Sequence, residues 1–135
     1  RWPQQAAAIS ANLEALLADL DELDRGFAQQ AGRLQDRQIL YSHPVYQYFE
    51  RRYELAGHSL HWEPDVMPTE EQWRQLAQFG GDELLFVWEA QPAAGLAQRL
   101  DALGIEQVVV DPAANVGDGD WLQRMRENLR GLSDL

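Results

Sequence analysis

The chain has 135 residues, of which 45% are hydrophobic, and a mean hydropathy of -0.46, the composition of one globular domain with a core of its own. Its formal net charge of -11 argues against a nucleic-acid partner, because binding to phosphates needs a basic surface. The absence of cysteine excludes disulfides, thiolate metal sites and cysteine nucleophiles.

No apolar run reaches the roughly 18 residues that a membrane-spanning helix needs, so none is predicted. No signal peptide is recognised either. Because the chain begins with Arg1 rather than methionine, we expect it to be a processed or excised piece of a longer protein. The missing signal therefore leaves the compartment open.

Residues 3 to 34 are predicted to form one long amphipathic helix. Pro3 suits a helix start. At 1.5 Å per residue, about 30 residues would span roughly 45 Å, whereas a compact domain of this size should be about 36 Å across. Two explanations stay open: a break at Gly26 or Gly32, or a first half that packs on something this chain lacks. The apolar residues at helical spacing are Ile9, Leu13, Leu16, Leu17, Leu20, Leu23, Phe27 and Leu34.

A strand that leads directly into a helix is predicted around His43. An apolar run ends at Tyr41, and apolar residues recur at helical spacing from position 45 to position 53. We expect Pro44 in the first helical turn, with Ser42 or His43 as the cap. His43 would then lie at the carboxyl end of a strand, where open α/β sheets bind their ligands.

The strand-then-helix order recurs three more times. Strands are predicted at residues 57–62, 84–88 and 105–110, and Thr69 is the expected cap of the helix after the first of them. Stops are expected at Gly80-Gly81 and Gly104, and a polar loop at 113–119 leads to the final helix. Trp62, Trp73, Trp88 and Trp121 are expected in the core. This alternation predicts an α/β fold, a four-stranded parallel sheet flanked by helices and preceded by one long N-terminal helix.

The predicted strand ends would bring one imidazole and three carboxylates to one edge of the sheet, those of His43, Glu63, Glu89 and Asp111. Such donors suit Zn²⁺ or Mn²⁺, although a structural zinc site takes four ligands. Structural roles stay open for each residue. His43 and Glu89 could cap helices, and Glu63 and Asp111 precede prolines, as turn residues often do.

Two further histidines lie in the second predicted strand. His58 and His61 are three residues apart, so they would point to opposite faces and could not bind one ion together. His61 and Glu63 share a face and could bind an ion, although a packed histidine is more common. The chain has no phosphate-binding glycine loop, no Gly-x-Ser-x-Gly and no His-Glu-x-x-His motif, so an enzyme is not predicted.

The order and spacing of these segments resemble the metal-binding solute-binding proteins of ABC transporters, the zinc and manganese receptors. The run from Ser42 to Phe49, followed by Arg52-Tyr53-Glu54-Leu55, is similar to the family pattern S-H-x-A-F-x-Y-F…Y-G-L, except that Glu54 stands where the family usually has glycine. The resemblance covers essentially all 135 residues. Further similar segments are Pro68 to Leu76, Phe86 to Glu89, Val109 to Asp111 and Leu122 to Leu132.

The resemblance implies two parts, a linking helix at residues 1–36 and a carboxyl-terminal α/β lobe at 37–135. The metal would lie between this lobe and an absent one, with His43 and Asp111 as ligands from this side. Glu89 and Ser42 would lie behind the ligands, with Glu89 able to orient the histidine, and Glu63 and His61 are further candidates. A histidine at position 43 favours Zn²⁺ over Mn²⁺.

The resemblance also implies a biological role, that of a protein without enzymatic activity that captures Zn²⁺ for an ABC transporter permease. Such a protein would be periplasmic or anchored at the extracellular surface as an adhesin-like lipoprotein, and peripheral to the membrane. The alternative is a stand-alone α/β interaction module that forms a homodimer through the exposed face of its long helix.

Overall fold

A computed structural model describes residues 2–80, 83–114 and 120–135 of the chain. The described residues form a short 3₁₀ turn, five α-helices and four strands, which confirms the predicted α/β class. In chain order they are the 3₁₀ turn Pro3–Gln5, α1 Ala6–Leu34, β1 Gln38–Tyr41, α2 Gln47–Tyr53, β2 Gly57–Ser59, α3 Glu70–Leu76, β3 Leu84–Trp88, α4 Ala94–Ala102, β4 Glu106–Val109 and α5 Trp121–Ser133.

The four strands form one parallel sheet in the order β2-β1-β3-β4. In the central pair, Ile39 lies opposite Leu85 and Tyr41 opposite Val87. The pairing extends past the strand ends, where the Ser42 N–H donates to the Val87 carbonyl at 2.9 Å. Because every strand runs the same way, the residues that follow the four strands emerge at one edge of the sheet.

Helices cover both faces of the sheet and bury two apolar layers. The strand β3 is buried along its whole length, as predicted, because alternate side chains enter opposite layers. Leu85 and Val87 pack with α1 and α5, whereas Phe86 and Trp88 pack with α3 and α4. Trp121 was also expected in the core, but that prediction is wrong, since it is 45% exposed.

The long helix α1 is continuous, so the prediction of one helix is confirmed and a break at Gly26 or Gly32 is excluded. Gly26 is instead a point of close packing, because a Cβ there would lie 2.5 Å from Cδ2 of Leu129 on α5. The second half of α1 buries Leu23, Phe27, Ala31 and Leu34 in the core. In the first half, the large apolar side chains are exposed: Ile9, Leu13, Leu16 and Leu17.

The prediction that a helix begins at Pro44 is wrong. Helix α2 begins at Gln47, with Tyr46 in the N-cap position. Ser42 does not cap it, because its buried hydroxyl accepts the Glu89 backbone N–H at 3.2 Å, which ties this residue to the sheet. The chain then turns through a loop in which the Val45 N–H donates to the His43 carbonyl at 2.9 Å. His43 therefore lies in a loop between strand and helix.

The second predicted strand is shorter than expected. It ends at Ser59, because His61 adopts a left-handed backbone with φ of 55° that a regular strand cannot contain. The Trp62 N–H nevertheless donates to the Ser42 carbonyl at 2.9 Å, so the segment still follows the first strand. The predicted positions of His58 and His61 on opposite faces of one strand are thus wrong for His61, which lies beyond it.

Three further helix boundaries were predicted from the sequence, and the structure agrees with two of them. Thr69 caps α3 as predicted, with a hydroxyl that accepts the Gln72 N–H at 3.3 Å in a reciprocal capping box. Gly104 follows α4 with φ of 74°, as expected of a stop. Helix α3, however, ends at Leu76, before Gly80. Gly81 and most of the predicted polar loop, residues 115–119, lie outside the described residues. Among the described helices, none combines the length and apolar character needed to cross a membrane.

Candidate metal site

The imidazole of His43 lies between two carboxylates at the carboxyl edge of the sheet. Its Nδ1 is 3.0 Å from Oε1 of Glu89, and its Nε2 is 3.4 Å from Oε1 of Glu63. The His43 side chain is 19% exposed, and Nδ1 is fully buried without an aligned hydrogen bond. A buried nitrogen in this state is costly unless it gains a partner. The short approach of Oε1 of Glu89 makes it the nearest partner for this nitrogen, and the other ring nitrogen, Nε2, faces Glu63.

The two carboxylates reach His43 from different parts of the fold. Glu89 directly follows β3, and its backbone is fixed by the hydrogen bond to the Ser42 hydroxyl. Glu63 follows the buried Trp62, and its side chain is 61% exposed. One donor atom from each of the three residues lies within 4.8 Å of the others. Imidazole and carboxylate donors at this spacing could hold a Zn²⁺ or Mn²⁺ ion.

Asp111 lies at the same edge of the sheet but outside this cluster of three. It follows β4, and its Oδ2 is 3.0 Å from Nη1 of Arg124. Its Oδ1 accepts the Ala113 N–H at 2.7 Å. Asp111 and Glu89 line one cavity of about 330 Å³, together with Ala90, Pro112 and Ala114. The structure thus brings the predicted carboxylates of Glu89 and Asp111 to a shared cavity.

His61 and Ser42 lie close to His43 in different ways. The ring of His61 contacts that of His43 edge to face, with centroids 6.2 Å apart. It is not part of the cluster of three found among the described residues. Ser42 supports the site from below, since its hydroxyl and its backbone join β1 to the Glu89 and Trp62 segments. His58 packs instead against Phe79, with ring centroids 5.3 Å apart.

The electrostatic potential at the site is negative, because several carboxylates surround it. Tyr46 lies beneath it and donates its hydroxyl to the Val110 carbonyl at 2.7 Å. Burial raises the pKa of Tyr46, and the charges of Glu89 and, less strongly, Asp111 raise it further. Tyr46 therefore stays neutral, and the field of the neighbouring carboxylates favours a cation.

Two residues that position Asp111 were not recognised as site residues from the sequence. Asn128 is buried, accepts the Asp111 N–H on Oδ1 at 2.9 Å, and donates from Nδ2 to the Asp111 carbonyl at 2.7 Å. Its signal was a polar residue within the apolar stripe of the last helix, which the resemblance included without assigning a role. Arg124 left no signal, because an arginine on an exposed helix position is ordinary.

The fold and the site together define a parallel α/β lobe that presents imidazole and carboxylate donors at the carboxyl edge of its sheet. Residues 2–135 match a family model described as ZnuA, zinc-uptake complex component A, periplasmic, and the chain belongs to this family. The suspected resemblance is thereby confirmed. The family is defined by metal uptake and not by an enzymatic reaction.

Solved structures share the fold over 98% of this chain at low sequence identity. Zn(II)-bound AdcA from Streptococcus pneumoniae is 18% identical, with a TM-score of 0.78 and 31% of that chain covered. The metal-dependent lipoprotein YcdH from Bacillus subtilis is 18% identical, with a TM-score of 0.82 and 53% covered. The laminin-binding protein Lbp of Streptococcus pyogenes is 17% identical, with a TM-score of 0.64 and 53% covered.

The chain thus spans about half of the length of these proteins, or less. The comparison with curated protein sequences gave no significant match.

Proposed function

We propose that this chain is the zinc-binding lobe of an ABC-transporter solute-binding protein, which captures Zn²⁺ for delivery to a membrane permease. The observation that carries the proposal is the imidazole of His43, with Nδ1 at 3.0 Å from Oε1 of Glu89 and Nε2 at 3.4 Å from Oε1 of Glu63. Membership of a zinc-uptake family supports a metal-binding role for this donor set. The protein would work in the periplasm or at the extracellular surface, peripheral to the membrane.

The proposed ligands of the metal are His43 and Asp111. Nε2 of His43 would bind the ion as a neutral ring nitrogen, while Nδ1 faces Glu89. A carboxylate at the second ring nitrogen fixes the orientation of a ligating histidine and raises its basicity, so Glu89 would orient the ring. Glu63 approaches Nε2 to 3.4 Å and is a candidate further ligand.

This lobe would supply only part of the coordination shell. Two proposed ligands are fewer than the four that zinc commonly takes, so another lobe would complete the site. Residues 1–36 would then link the lobes and 37–135 would form the present one. The apolar residues exposed on the first half of α1 support this division, because a surface of that kind normally has a partner. The second half of α1 packs in the core, so helix and lobe would move together.

Zinc titration by competition with a chromogenic chelator tests the proposal at neutral pH. We expect weak binding, with a Kd on the order of micromolar or above, that is lost in both His43→Ala and Asp111→Ala. His58→Ala is the matched control, since His58 packs against Phe79 away from the site. Its affinity should stay within about threefold, or roughly 0.7 kcal/mol. Equal losses in His43→Ala and His58→Ala would refute the assignment.

The metal preference has its own test. An imidazole ligand favours Zn²⁺, whereas Mn²⁺ prefers oxygen donors. We therefore expect Mn²⁺ to compete poorly for the site in the wild-type chain and better in His43→Glu. A wild-type chain that binds both ions equally would contradict the preference for zinc.

The second candidate is a stand-alone interaction module that dimerises through α1. It is favoured by the exposed side chains of Leu13 and Leu17, and opposed by the net charge of -11, since like charges repel. Light scattering, which measures the oligomeric state, decides between this module and the zinc-binding lobe. A dimer that dissociates when both leucines are replaced by glutamine, in a chain without zinc affinity, would favour the module. A monomer that binds zinc would exclude it.

A further inference from the structure

The carboxylate proposed to bind the metal is already engaged within the chain. Nη1 of Arg124 is 3.0 Å from Oδ2 of Asp111, while Oδ1 accepts the Ala113 N–H at 2.7 Å. The backbone on both sides of the residue is fixed, because Asn128 hydrogen-bonds to its N–H and its carbonyl. Asp111 therefore has little freedom to rotate away from the guanidinium towards an ion.

Arg124, in contrast, has room to move. It lies on the first turns of α5 with its side chain 41% exposed, and the pair as a whole is at the surface, since the Asp111 side chain is 32% exposed. Arg124, Asp111 and Glu127 line a common cavity of about 440 Å³. Glu127 is three residues further along the helix, a spacing at which opposite charges can meet. A guanidinium that leaves Asp111 thus has both solvent and a second carboxylate available.

We propose that Arg124 is a latch on Asp111 that competes with the metal and lowers the affinity of this lobe for zinc. This inference rests on the proposed function, and it adds a regulating residue to the site. A guanidinium and a divalent cation at one carboxylate repel each other, so zinc binds more tightly when Arg124 swings away. Exposed ion pairs are weak, so the latch tunes the affinity instead of blocking the site.

The latch also predicts an unusual response to salt. Salt screens exposed charges, and so it weakens the attraction between zinc and the carboxylates in any variant. In the wild-type chain it also weakens the contact between Arg124 and Asp111, which partly offsets the loss. The zinc affinity of the wild-type chain should therefore fall less with ionic strength than that of a variant without the guanidinium.

The experiment compares Arg124→Gln with Arg126→Gln in zinc titrations of the whole chain at low and high salt. Arg126 is the matched control, since it lies on the same helix, loses the same charge, and pairs with Asp19 at 2.6 Å instead of with Asp111. We expect Arg124→Gln to raise zinc affinity on the order of tenfold at low salt, with a smaller ratio at high salt. Arg126→Gln should stay within about twofold, and Arg124→Lys, which keeps the charge, should stay near wild type.

Three results would overturn the latch. An unchanged or lower affinity in Arg124→Gln, with His43→Ala still abolishing binding, would refute it while the proposed function stood. Equal gains in Arg124→Gln and Arg126→Gln would show a general charge effect and also refute it. Absence of zinc binding in both the wild-type chain and Arg124→Gln would refute the proposed function and the latch together. Thermal unfolding of each metal-free variant shows whether it is folded, and Arg124→Met, which also removes the charge, takes the place of the glutamine variant if that variant is not folded.

Discussion

Asn128 offers the sharpest test of how the carboxyl edge of the sheet is held together. This buried side chain joins α5 to the residue after β4 through two hydrogen bonds with the backbone of Asp111, at 2.9 and 2.7 Å. Asn128→Ala removes both bonds and leaves a backbone donor and acceptor without partners. The expected result is a loss of stability together with a looser position of the carboxylate.

The magnitude follows from these two bonds. Each is worth about 0.5–1.5 kcal/mol net, and the penalty is at the upper end when the groups left behind are shielded from water. Alanine regains about 0.5 kcal/mol, because it favours the helix more than asparagine does. We therefore expect Asn128→Ala to lower the free energy of unfolding by about 1.5–2.5 kcal/mol. Zinc affinity should fall on the order of tenfold, as is typical when a residue that supports a ligand is removed.

Urea unfolding followed by circular dichroism measures the free energy of unfolding, and the slope of this free energy against urea concentration is expected to stay unchanged. Gln123→Ala is the matched control, since Gln123 lies on the same helix and its side chain donates to Glu127 at an exposed position. Its effect should stay within about 0.5 kcal/mol. If Asn128→Ala destabilises the chain no more than Gln123→Ala does, the two hydrogen bonds do not hold the edge and the reasoning is refuted.

Three further predictions concern the stability of the helices. A Cβ at Gly32 would meet no atom within 4 Å, so Gly32→Ala should raise the free energy of unfolding by about 0.5–1 kcal/mol. Gly26→Ala should leave the stability unchanged or lower it, because its Cβ would meet Leu129. Equal gains in stability for the two variants in denaturant unfolding would contradict the close packing of α1 on α5. Glu54 has φ of 55° after α2, so Glu54→Gly should stabilise the chain by about 1 kcal/mol, and a lower melting temperature would count against this conformation. Hydrogen bonds from Arg52 and Tyr53 lower the pKa of Asp24 below its usual 3.8, so the charged carboxylate stabilises the fold above that pH, and this stabilisation is lost as the pH falls through the lowered pKa of the folded state. The difference in stability between the wild-type chain and Asp24→Asn should therefore be constant above about pH 5 and shrink below about pH 4. A difference that does not change with pH would contradict the pairing.

Glu54 is a position at which this chain differs from the family pattern, and its backbone conformation gives the physical reason for the pattern. The family usually has glycine there, and the structure shows why, since the residue adopts a left-handed conformation that glycine alone takes without strain. Comparison of patterns located the position, but only the backbone angle explained it.

The sequence by itself determined the class of fold. The period of its apolar residues marked the long first helix and the buried strand β3, and Thr69 marked the start of α3, because these signals arise from neighbours a few residues apart. The alternation of strands and helices then implied a parallel sheet with His43, Glu63, Glu89 and Asp111 towards one edge. That much of the candidate site could be predicted from local patterns.

The tertiary structure alone decided which of these residues meet. It placed His43 in a loop instead of a helix turn, and set Glu63 and Glu89 against its two ring nitrogens. It also paired Asp111 with Arg124 and fixed its backbone through Asn128. These contacts depend on the strand order and on how α5 crosses the sheet, which residues far apart in the chain settle through packing. The spacing of residues along the sequence carries no record of such pairings, and so the partners of each donor become visible only in the folded chain.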